Sequence, residues 1–294
     1  MNRKVKDQAV LILAHKNFDQ LQKLIDRLND TFELYIHFDK KMPLSDQQKT
    51  LLETNGVHYC SVYEVKWGSY RIVQATLALI KMALANPNLK YFHLVSGQDW
   101  PANNPQKIAA FYDHNERIYM DYWQALGTEK YHEKLIWWVK LYFNYDRINR
   151  RTFFGKFYHR FLILIQLLMR VDRIKKAGFK DEEIYVGQQW FDVPRDAMQY
   201  AYDTFTGDPK WTRLFEKSFC SDEYWLQTVL CNSKFKSRIS TNIHRYIVWE
   251  HRNGSRPAVL DASDYEPICQ GDYQWARKFE LGVSDPLIEK LNQR

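Results

Sequence analysis

The strongest constraint on the fold is an unbroken apolar run at residues 9–14 (AVLILA), which leads directly into a helical pattern. A short apolar run of this kind is typical of a strand buried on both faces. Apolar residues then recur at helical spacing from Phe18 to Leu28, and apolar and polar residues alternate over 32–38. These patterns predict a buried strand, a helix and a second strand.

The alternation of strands and helices continues toward residue 95. We predict a strand at 57–63, a helix at 69–85 capped by Ser69, and a strand at 91–95. Strands that alternate with helices form a mostly parallel sheet covered on both faces. The sequence therefore predicts the α/β class with a central sheet flanked by helices.

Polar residues follow three of these strands directly. They are His15, Asp39 and the loop 96–99, which reads Ser-Gly-Gln-Asp. Ligands of such sheets bind in the crevice beyond the carboxyl ends of the strands. We therefore expect a ligand site where these three segments meet.

Residues 123–180 are aromatic and basic and show little alternation. Between Arg147 and Lys176 stand nine Lys or Arg residues and one acid, Asp172, around an apolar stretch at 161–169. Nine residues are too few to cross a bilayer, which needs about 20. Two interpretations remain open: a helix lying in a membrane interface, or a buried helix whose basic ends face solvent. Of the two we favour the buried helix.

The last third of the chain returns to α/β signals. We predict a strand at 184–193, helices at 195–205 and 222–230, and one or two strands within 238–249. No low-complexity linker or repeat interrupts the chain, so we predict a single domain over residues 1–294.

Composition and charge narrow the class of partner. The formal net charge of +7 favours a polyanion: nucleic acid, an acidic membrane surface or a phosphate-bearing small molecule. The aromatic share of 16% is high: the extra rings either serve as platforms for sugars or bases, or simply fill an α/β core. Four widely spaced cysteines without a CxxC pair predict neither a disulfide framework nor a zinc site. The N-terminus lacks a signal-peptide pattern, so we expect a cytoplasmic protein.

Three common phosphate-binding patterns are missing from the sequence. It has no P-loop, no GxGxxG and no Asp-x-Asp metal clamp. Cationic side chains can hold a diphosphate without a metal, and Arg277 and Lys278 are adjacent cations between aromatic residues. Asp222 and Glu223 stand at a predicted helix start, where we interpret Asp222 as a capping residue and Glu223 as a general base.

Seven segments together, in this order, resemble the Core-2/I-branching glycosyltransferase family (glycosyltransferase family 14). This family includes β-1,6-N-acetylglucosaminyltransferases and peptide O-xylosyltransferases. The resemblance covers roughly residues 9–280 and implies a GT-A-like fold, a UDP-sugar donor, inversion at the anomeric carbon and catalysis without a metal or other cofactor. The segments are AHKN (14–17), IHFDKK (36–41), WGSY (67–70), LVSGQDWP (94–101), GQQWF (187–191), SDEYWLQTVLCNS (221–233) and WARKFE (275–280).

The resemblance also implies roles for individual residues. Glu223 matches the catalytic base, and Trp249 is assigned to the acceptor side. We further divide the domain into a nucleotide-binding half at 9–122, a helical insertion at 123–180 and a catalytic and acceptor half at 181–280. None of the seven segments lies in the insertion. The donor-site residues are His15, Asp39 and Trp67 near the nucleotide, Asp99 and Trp190 near the donor sugar, and Arg256, Arg277 and Lys278 at the diphosphate.

The chain departs from the animal members of the family, because it lacks their membrane anchor, stem and cysteine pattern. This difference predicts a cytosolic bacterial member. The donor sugar is expected to be N-acetylglucosamine, with xylose as the alternative. The expected acceptor is a hydroxyl group of a glycan, and a lipid-linked glycan is one form that this acceptor can take. A peripheral contact with anionic membrane at its inner face is a further expectation, whereas nucleic acid is not expected as a substrate. A non-catalytic carbohydrate- or nucleic-acid-binding protein on the same scaffold remains the alternative from another class.

Overall fold

The computed structural model describes residues 6–130, 132–145, 148 and 152–294. Arg147, Arg150 and Arg151, which belong to the nine cations counted above, lie outside the described residues. The strands are β1 Gln8–Ala14, β2 Glu33–Phe38, β3 His58–Cys60, β4 Tyr91–Ser96, β5 Asp99–Pro101, β6 Ile118–Tyr119, β7 Trp123–Gln124, β8 Glu129–Lys130, β9 Glu133–Lys134, β10 Tyr185–Val186, β11 Asp192–Pro194, β12 Ile239–Ser240, β13 Arg245–Ile247 and β14 Trp275–Arg277.

The α-helices range from four to sixteen residues. Short 3₁₀ segments lie at Asp181–Glu183, Ser221–Glu223, Lys234–Arg238 and Ala262–Asp264. The helices are α1 Phe18–Leu28, α2 Asp46–Thr54, α3 Arg71–Leu84, α4 Pro105–Tyr112, α5 Trp137–Lys140, α6 Phe153–Leu168, α7 Arg173–Lys176, α8 Arg195–Gly207, α9 Pro209–Phe215, α10 Trp225–Cys231, α11 Tyr265–Gln270 and α12 Asp285–Asn292.

Seven of these strands form a central sheet in the order β12-β6-β11-β4-β1-β2-β3. All run parallel to β1 except β11, which is antiparallel to both of its neighbours. The predicted α/β class with a mostly parallel sheet flanked by helices is therefore confirmed. The division into halves at 9–122 and 181–280 with an insertion at 123–180 stays a prediction.

Strand β1 shows why both faces of the sheet are covered. Ala9 and Leu11 belong to one buried cluster, whereas Val10 and Ile12 belong to another. The first cluster includes residues of α3, α8 and α10, and the second includes residues of α1, α4 and α12. Because successive side chains of a strand point to opposite faces, an unbroken apolar run needs helices on both sides.

A smaller sheet of three strands, in the order β13-β14-β5, adjoins the carboxyl end of β4. Strand β14 pairs antiparallel with β5, which places Arg277 opposite Asp99. Strand β13 pairs parallel with β14. This sheet brings a segment from the end of the chain to the edge where polar residues follow the central strands.

The prediction of one strand at 184–193 is wrong. Strand β10 pairs with β7, β11 joins the central sheet, and residues 187–191 between them are not in a strand. The backbone of Gly187 lies so close to Asp121 that a Cβ there would stand 1.9 Å from the Asp121 carbonyl oxygen. This close approach requires glycine and separates the two strands.

Two predicted helix starts are also corrected. Helix α3 begins at Arg71 and has Tyr70 at its N-cap without a side-chain hydrogen bond, so Ser69 is not the cap. Gly68, with φ +76°, reverses the chain just before Ser69, which is buried. Residues 222–230 are not one helix, because Ser221–Glu223 is a 3₁₀ turn and α10 begins at Trp225.

The favoured interpretation of 161–169 as a buried helix is wrong. The stretch lies in and just after α6, in which Gly155, His159, Ile163 and Gln166 are buried. Leu164, Leu168 and Met169 are largely exposed. The helix packs on the protein through a narrow and partly polar face, so its apolar residues remain outside. Among the described helices, none is long and apolar enough to cross a membrane.

Candidate active site

A cavity of about 530 Å³ opens at the carboxyl ends of β1, β2 and β4. Seven of the ten residues that the sequence assigned to the site line it. These residues come from six separate segments of the chain, which only the sheet topology brings together. They are His15, Asp39, Trp67, Trp190, Arg256, Arg277 and Lys278.

The Asp39 carboxylate organises one end of the cavity. One of its oxygens accepts from the backbone N–H of Lys41 at 2.9 Å, and the other accepts from that of Val65 at 3.2 Å. His37 likewise accepts through Nε2 from the N–H of Tyr63 at 3.2 Å. These bonds hold Tyr63 and Val65 at the end of β2 through side chains instead of a strand ladder. Strand β3 therefore ends at Cys60 rather than at the predicted residue 63.

Two histidines line the cavity, and the surroundings of both favour the neutral imidazole. Burial lowers the pKa of His37, in agreement with Nε2 acting as an acceptor. Burial also lowers the pKa of His15, and the nearby cations Lys16 and Arg277 lower it further. Neutral imidazoles present a donor and an acceptor without adding charge, which suits contact with an uncharged ring.

Trp67 supplies an aromatic wall near Asp39. About half of its surface is exposed (47%), and its ring packs edge-on against Phe219 at 5.3 Å between centroids. The next residue, Gly68, has a positive φ, and a Cβ there would stand 2.4 Å from the Phe219 ring. A glycine at 68 therefore lets the chain turn tightly enough to place Trp67 at the cavity.

The opposite end of the cavity is cationic. The register of β14 against β5 places the Arg277 guanidinium 2.7 Å from Asp99 Oδ1 and 2.8 Å from Ser96 Oγ. The same guanidinium lies over the Trp190 ring, 4.3 Å from its centroid. The Lys278 ammonium donates to Ser255 Oγ at 2.6 Å. These two cations are held in place by their contacts, and Arg256 also lines the cavity, so the three form a cationic wall that suits a diphosphate.

Asp99 lies behind this wall rather than in it. It is buried, and its second oxygen accepts from the Ser96 N–H at 2.6 Å. Its two oxygens thus connect the end of β4 with Arg277. The structure places Asp99 as a support for Arg277, whereas the predicted contact with the donor sugar stays a prediction.

Glu223 lies beside the cavity and does not belong to its lining. Its backbone carbonyl accepts from the Gly187 N–H at 2.9 Å, which connects it to the loop that carries Trp190. Its carboxylate is 3.7 Å from the Lys130 ammonium, and about a quarter of its side chain is exposed. Burial raises the pKa of Glu223, while Lys130 lowers it. A raised pKa suits a group that must take up a proton near neutral pH.

Asp222 is not the capping residue that the sequence predicts. The N-cap of α10 is Tyr224, and Asp222 is buried in the preceding 3₁₀ turn. Burial and the adjacent Glu223 raise the pKa of Asp222 to about 8. Two neighbouring carboxyl groups in a buried turn cannot both ionise easily, so Asp222 keeps its proton at neutral pH.

Trp249 lies apart from the cavity. It follows β13 and is half exposed (51%), at the start of the loop that leads to Arg256. Its assignment to the acceptor side stays a prediction.

Sequence reasoning missed several residues of this region. Gln189 lines the cavity next to Trp190, and Lys130 contacts the candidate base. Gln189 lies in the GQQWF segment, which could have identified it. Lys130 stands in the 123–180 region, where none of the seven family-like segments lies. Among the described residues, no group of three or more His, Cys, Asp or Glu side chains is arranged to hold a metal ion.

A second cavity, of about 440 Å³, adjoins the β8–β9 hairpin. Its lining combines the charged residues Glu133 and Arg160 with His132, Trp137 and Ile163.

Comparisons with known proteins place the chain in a family. The comparison with curated proteins gives no significant match. Among solved structures, the crystal structure of S. aureus TarS 1–349 aligns at 15% identity with a TM-score of 0.26. This alignment covers 42% of this chain and 37% of that chain, so it spans well under half of the TarS structure. The family model of the Core-2/I-Branching enzyme matches residues 9–275. The chain therefore belongs to the Core-2/I-branching enzyme family, a family of glycosyltransferases.

Proposed function

We propose that the protein transfers a sugar from a UDP-sugar to a hydroxyl group of a glycan, with inversion and without a metal ion. The observation that carries this proposal is the distribution of charge in the main cavity. Asp39 follows β2, whereas Arg277 is bonded to Ser96 at the end of β4, and β1 lies between these two strands. The cations Arg256 and Lys278 line the same cavity. A nucleoside diphosphate is complementary to this distribution. Its uncharged base can donate a hydrogen bond to a carboxylate, and its anionic diphosphate pairs with cations.

The proposed donor orientation follows from this match. The uracil ring binds near Asp39, His15 and Trp67, where a neutral imidazole and an indole wall suit a flat polar ring. The diphosphate binds at Arg277 and Lys278, whose positions are set by bonds to Asp99, Ser96 and Ser255. Cations held in place before the reaction stabilise charge that develops on a leaving group without reorganisation.

The proposed reaction is a single in-line displacement. The Glu223 carboxylate removes the proton of the acceptor hydroxyl as its oxygen bonds to the anomeric carbon. The bond between that carbon and the diphosphate oxygen breaks, and its electron pair leaves with UDP. The cationic wall neutralises the new charge. One displacement inverts the anomeric centre. Because Glu223 adjoins the loop of Trp190, we place the acceptor on that side of the cavity.

N-acetylglucosamine is the donor sugar that we propose, with xylose as the alternative. The proposed acceptor is a glycan, and a lipid-linked glycan is one form that it can take. Nucleic acid is not a proposed partner. The cavity contains two side chains, Gln98 and Gln189, that suit recognition of sugar hydroxyl or amide groups.

Release of UDP tests the proposal. Purified protein is incubated with UDP-N-acetylglucosamine or UDP-xylose, a panel of glycan acceptors and no added metal. We expect acceptor-dependent UDP release with one of the two donors. If calorimetry detects UDP binding but neither donor is consumed with any acceptor, the non-catalytic alternative is supported. If UDP does not bind, the assigned donor site is wrong.

A further inference from the structure

Helix α6 presents a continuous apolar face to solvent. The exposed apolar residues of this helix recur at spacings of one, three and four, so they form one stripe along its length. Phe153 is 90% exposed and Leu168, at the other end, is 75% exposed. The stripe consists of Phe153, Phe154, Phe157, Phe161, Leu164, Ile165 and Leu168, and Met169 extends it; Leu167 is also exposed (38%).

The opposite face of α6 is attached to the protein by specific polar contacts. His159 is buried, and both of its ring nitrogens are hydrogen-bonded. Nδ1 bonds to the Tyr145 hydroxyl, and Nε2 bonds to the Glu133 carboxylate at 2.9 Å. The Gln166 side chain accepts from the Tyr142 N–H at 2.7 Å and donates to the Tyr142 carbonyl at 3.0 Å. Because these contacts set the rotation of the helix, the apolar stripe cannot turn inward without breaking them.

Exposed cations accompany the stripe on α6 and in the residues that follow it. Helix α6 contains no Asp or Glu. The cations exposed on α6 or shortly after it are Lys156, Arg160, Arg170, Lys175 and Lys176.

Two neighbouring charged residues do not belong to this cationic surface. Asp172 caps α7 and lies 3.1 Å from Lys140, so its charge is already paired. Arg173 is buried and donates to the carbonyls of Val139 and Leu141 at 3.1 Å. Arg173 therefore serves packing, unlike the other cations near it.

We propose that α6 lies flat on an anionic membrane surface, with its apolar stripe inserted among the lipids and its flanking cations against the headgroups. This pairing of rings and aliphatic side chains with adjacent cations is the pattern of an interfacial helix. The helix has sixteen residues, which fits lying in the interface rather than crossing the bilayer.

Charge favours lipid over a second copy of the chain as the occupant of this surface. A symmetric dimer through the stripe would bring Lys156 and Arg160 of two copies together without acids on the same helix to pair with them. Anionic headgroups pair with each of these cations instead. The cationic border of the stripe therefore favours an anionic membrane over a second copy of the chain.

Vesicle sedimentation tests the proposal with the full chain. Vesicles of phosphatidylcholine containing about 30% phosphatidylglycerol are expected to pull the protein down at low salt, whereas pure phosphatidylcholine is expected to bind far less. The double variant Phe157→Ser, Phe161→Ser should bind at least about tenfold more weakly. Lys156→Gln should bind about fivefold more weakly, and only at low salt, because exposed charges are screened.

Matched controls separate this effect from misfolding. Leu51→Ser and Val62→Ser replace apolar residues that are exposed elsewhere and should leave vesicle binding unchanged. UDP binding by the Phe157, Phe161 variant reports on its fold and should equal that of the original protein. The membrane proposal and the proposed reaction can fail separately, because activity is measured with water-soluble acceptors and no vesicles.

Two results would overturn the proposal. One is a protein that stays in the supernatant with anionic vesicles at low salt. The other is a dimer in solution that the Phe157→Ser, Phe161→Ser variant converts to a monomer, because that result assigns the stripe to a second copy of the chain.

Discussion

The Lys130 ammonium lies 3.7 Å from the Glu223 carboxylate, across the gap between the β8–β9 hairpin and the 3₁₀ turn. Burial raises the pKa of this carboxyl group and Lys130 lowers it, so the pair sets the pH at which the proposed base loses its proton. A general base acts only when it is ionised, which makes the relationship measurable in a pH profile.

Replacement of Lys130 by Met should raise the pKa of Glu223 further. The acidic limb of the kcat/KM profile should therefore move to higher pH, by roughly one unit or less for a partly exposed pair. Lys134→Met changes a cation on the other strand of the same hairpin, where it lies over Trp137, and should leave the limb in place. An unchanged limb in Lys130→Met would mean that another group is the base.

Glu223→Gln removes the proposed base while keeping the size of the side chain. We expect turnover to fall by about a hundredfold or more, and donor affinity to change by no more than a few fold. Glu129→Gln, an exposed substitution on β8, serves as the control. Steady-state kinetics and calorimetry with UDP separate the two effects, and turnover close to that of the original protein would contradict the assignment.

Lys278→Ala should weaken UDP binding by about 1.5–3 kcal/mol, the range for a hydrogen bond to a charged group. Binding of uridine, which has no diphosphate, should stay within about twofold because the lost contact is to phosphate. The comparison of the two ligands by calorimetry places Lys278 at the diphosphate. An equal loss for both ligands would mean that the variant damages the whole cavity.

Activity should survive chelation. The cations Arg277 and Lys278 are proposed to stabilise the leaving diphosphate, so about the same initial rate is expected with EDTA as with added manganese or magnesium. UDP release is the readout in each condition. An enzyme that loses activity in EDTA and regains it with manganese would show that these cations do not replace a metal.

Asp222→Asn should stabilise the protein near neutral pH. The pKa of this carboxyl group is about 8 in the folded protein and 3.8 in an unperturbed chain. Between these values the folded state holds a proton that the unfolded chain releases, so stability falls as pH rises through that window. An amide does not ionise, so Asp222→Asn should raise the free energy of unfolding near neutral pH by about 1 kcal/mol or more.

Urea unfolding at several pH values measures the effect of Asp222→Asn on the free energy of unfolding. The gain in free energy of unfolding should be largest above pH about 8. It should disappear below pH about 4, where the Asp222 carboxyl group is protonated in the folded and the unfolded protein alike. A gain that does not depend on pH would assign it to packing instead of titration.

Local sequence patterns determined much of this protein. The AVLILA run predicted β1, and helical spacing predicted α1 with the same bounds. Alternation placed β2 within one residue of its start, and polar residues after β1 and β2 identified the cavity edge. These features depend on residues close together in the chain, whose periodicity survives in the sequence. Helix α2 was detectable too, because Ser45 and Gln48 form a capping box, although it was not predicted.

Other features were decided only by the tertiary structure. Arg277 meets Asp99 because β14 pairs with β5, a contact between residues 178 apart in the chain. Lys130 reaches Glu223 through a hairpin that carries no motif. The composition of the apolar stretch 161–169 does not decide whether it is buried or exposed. The contacts of His159 and Gln166 decide it, because they hold the opposite face of the helix against the protein. Exposure and charge pairing depend on which distant segments pack together, and periodicity along one segment contains no information about its partner.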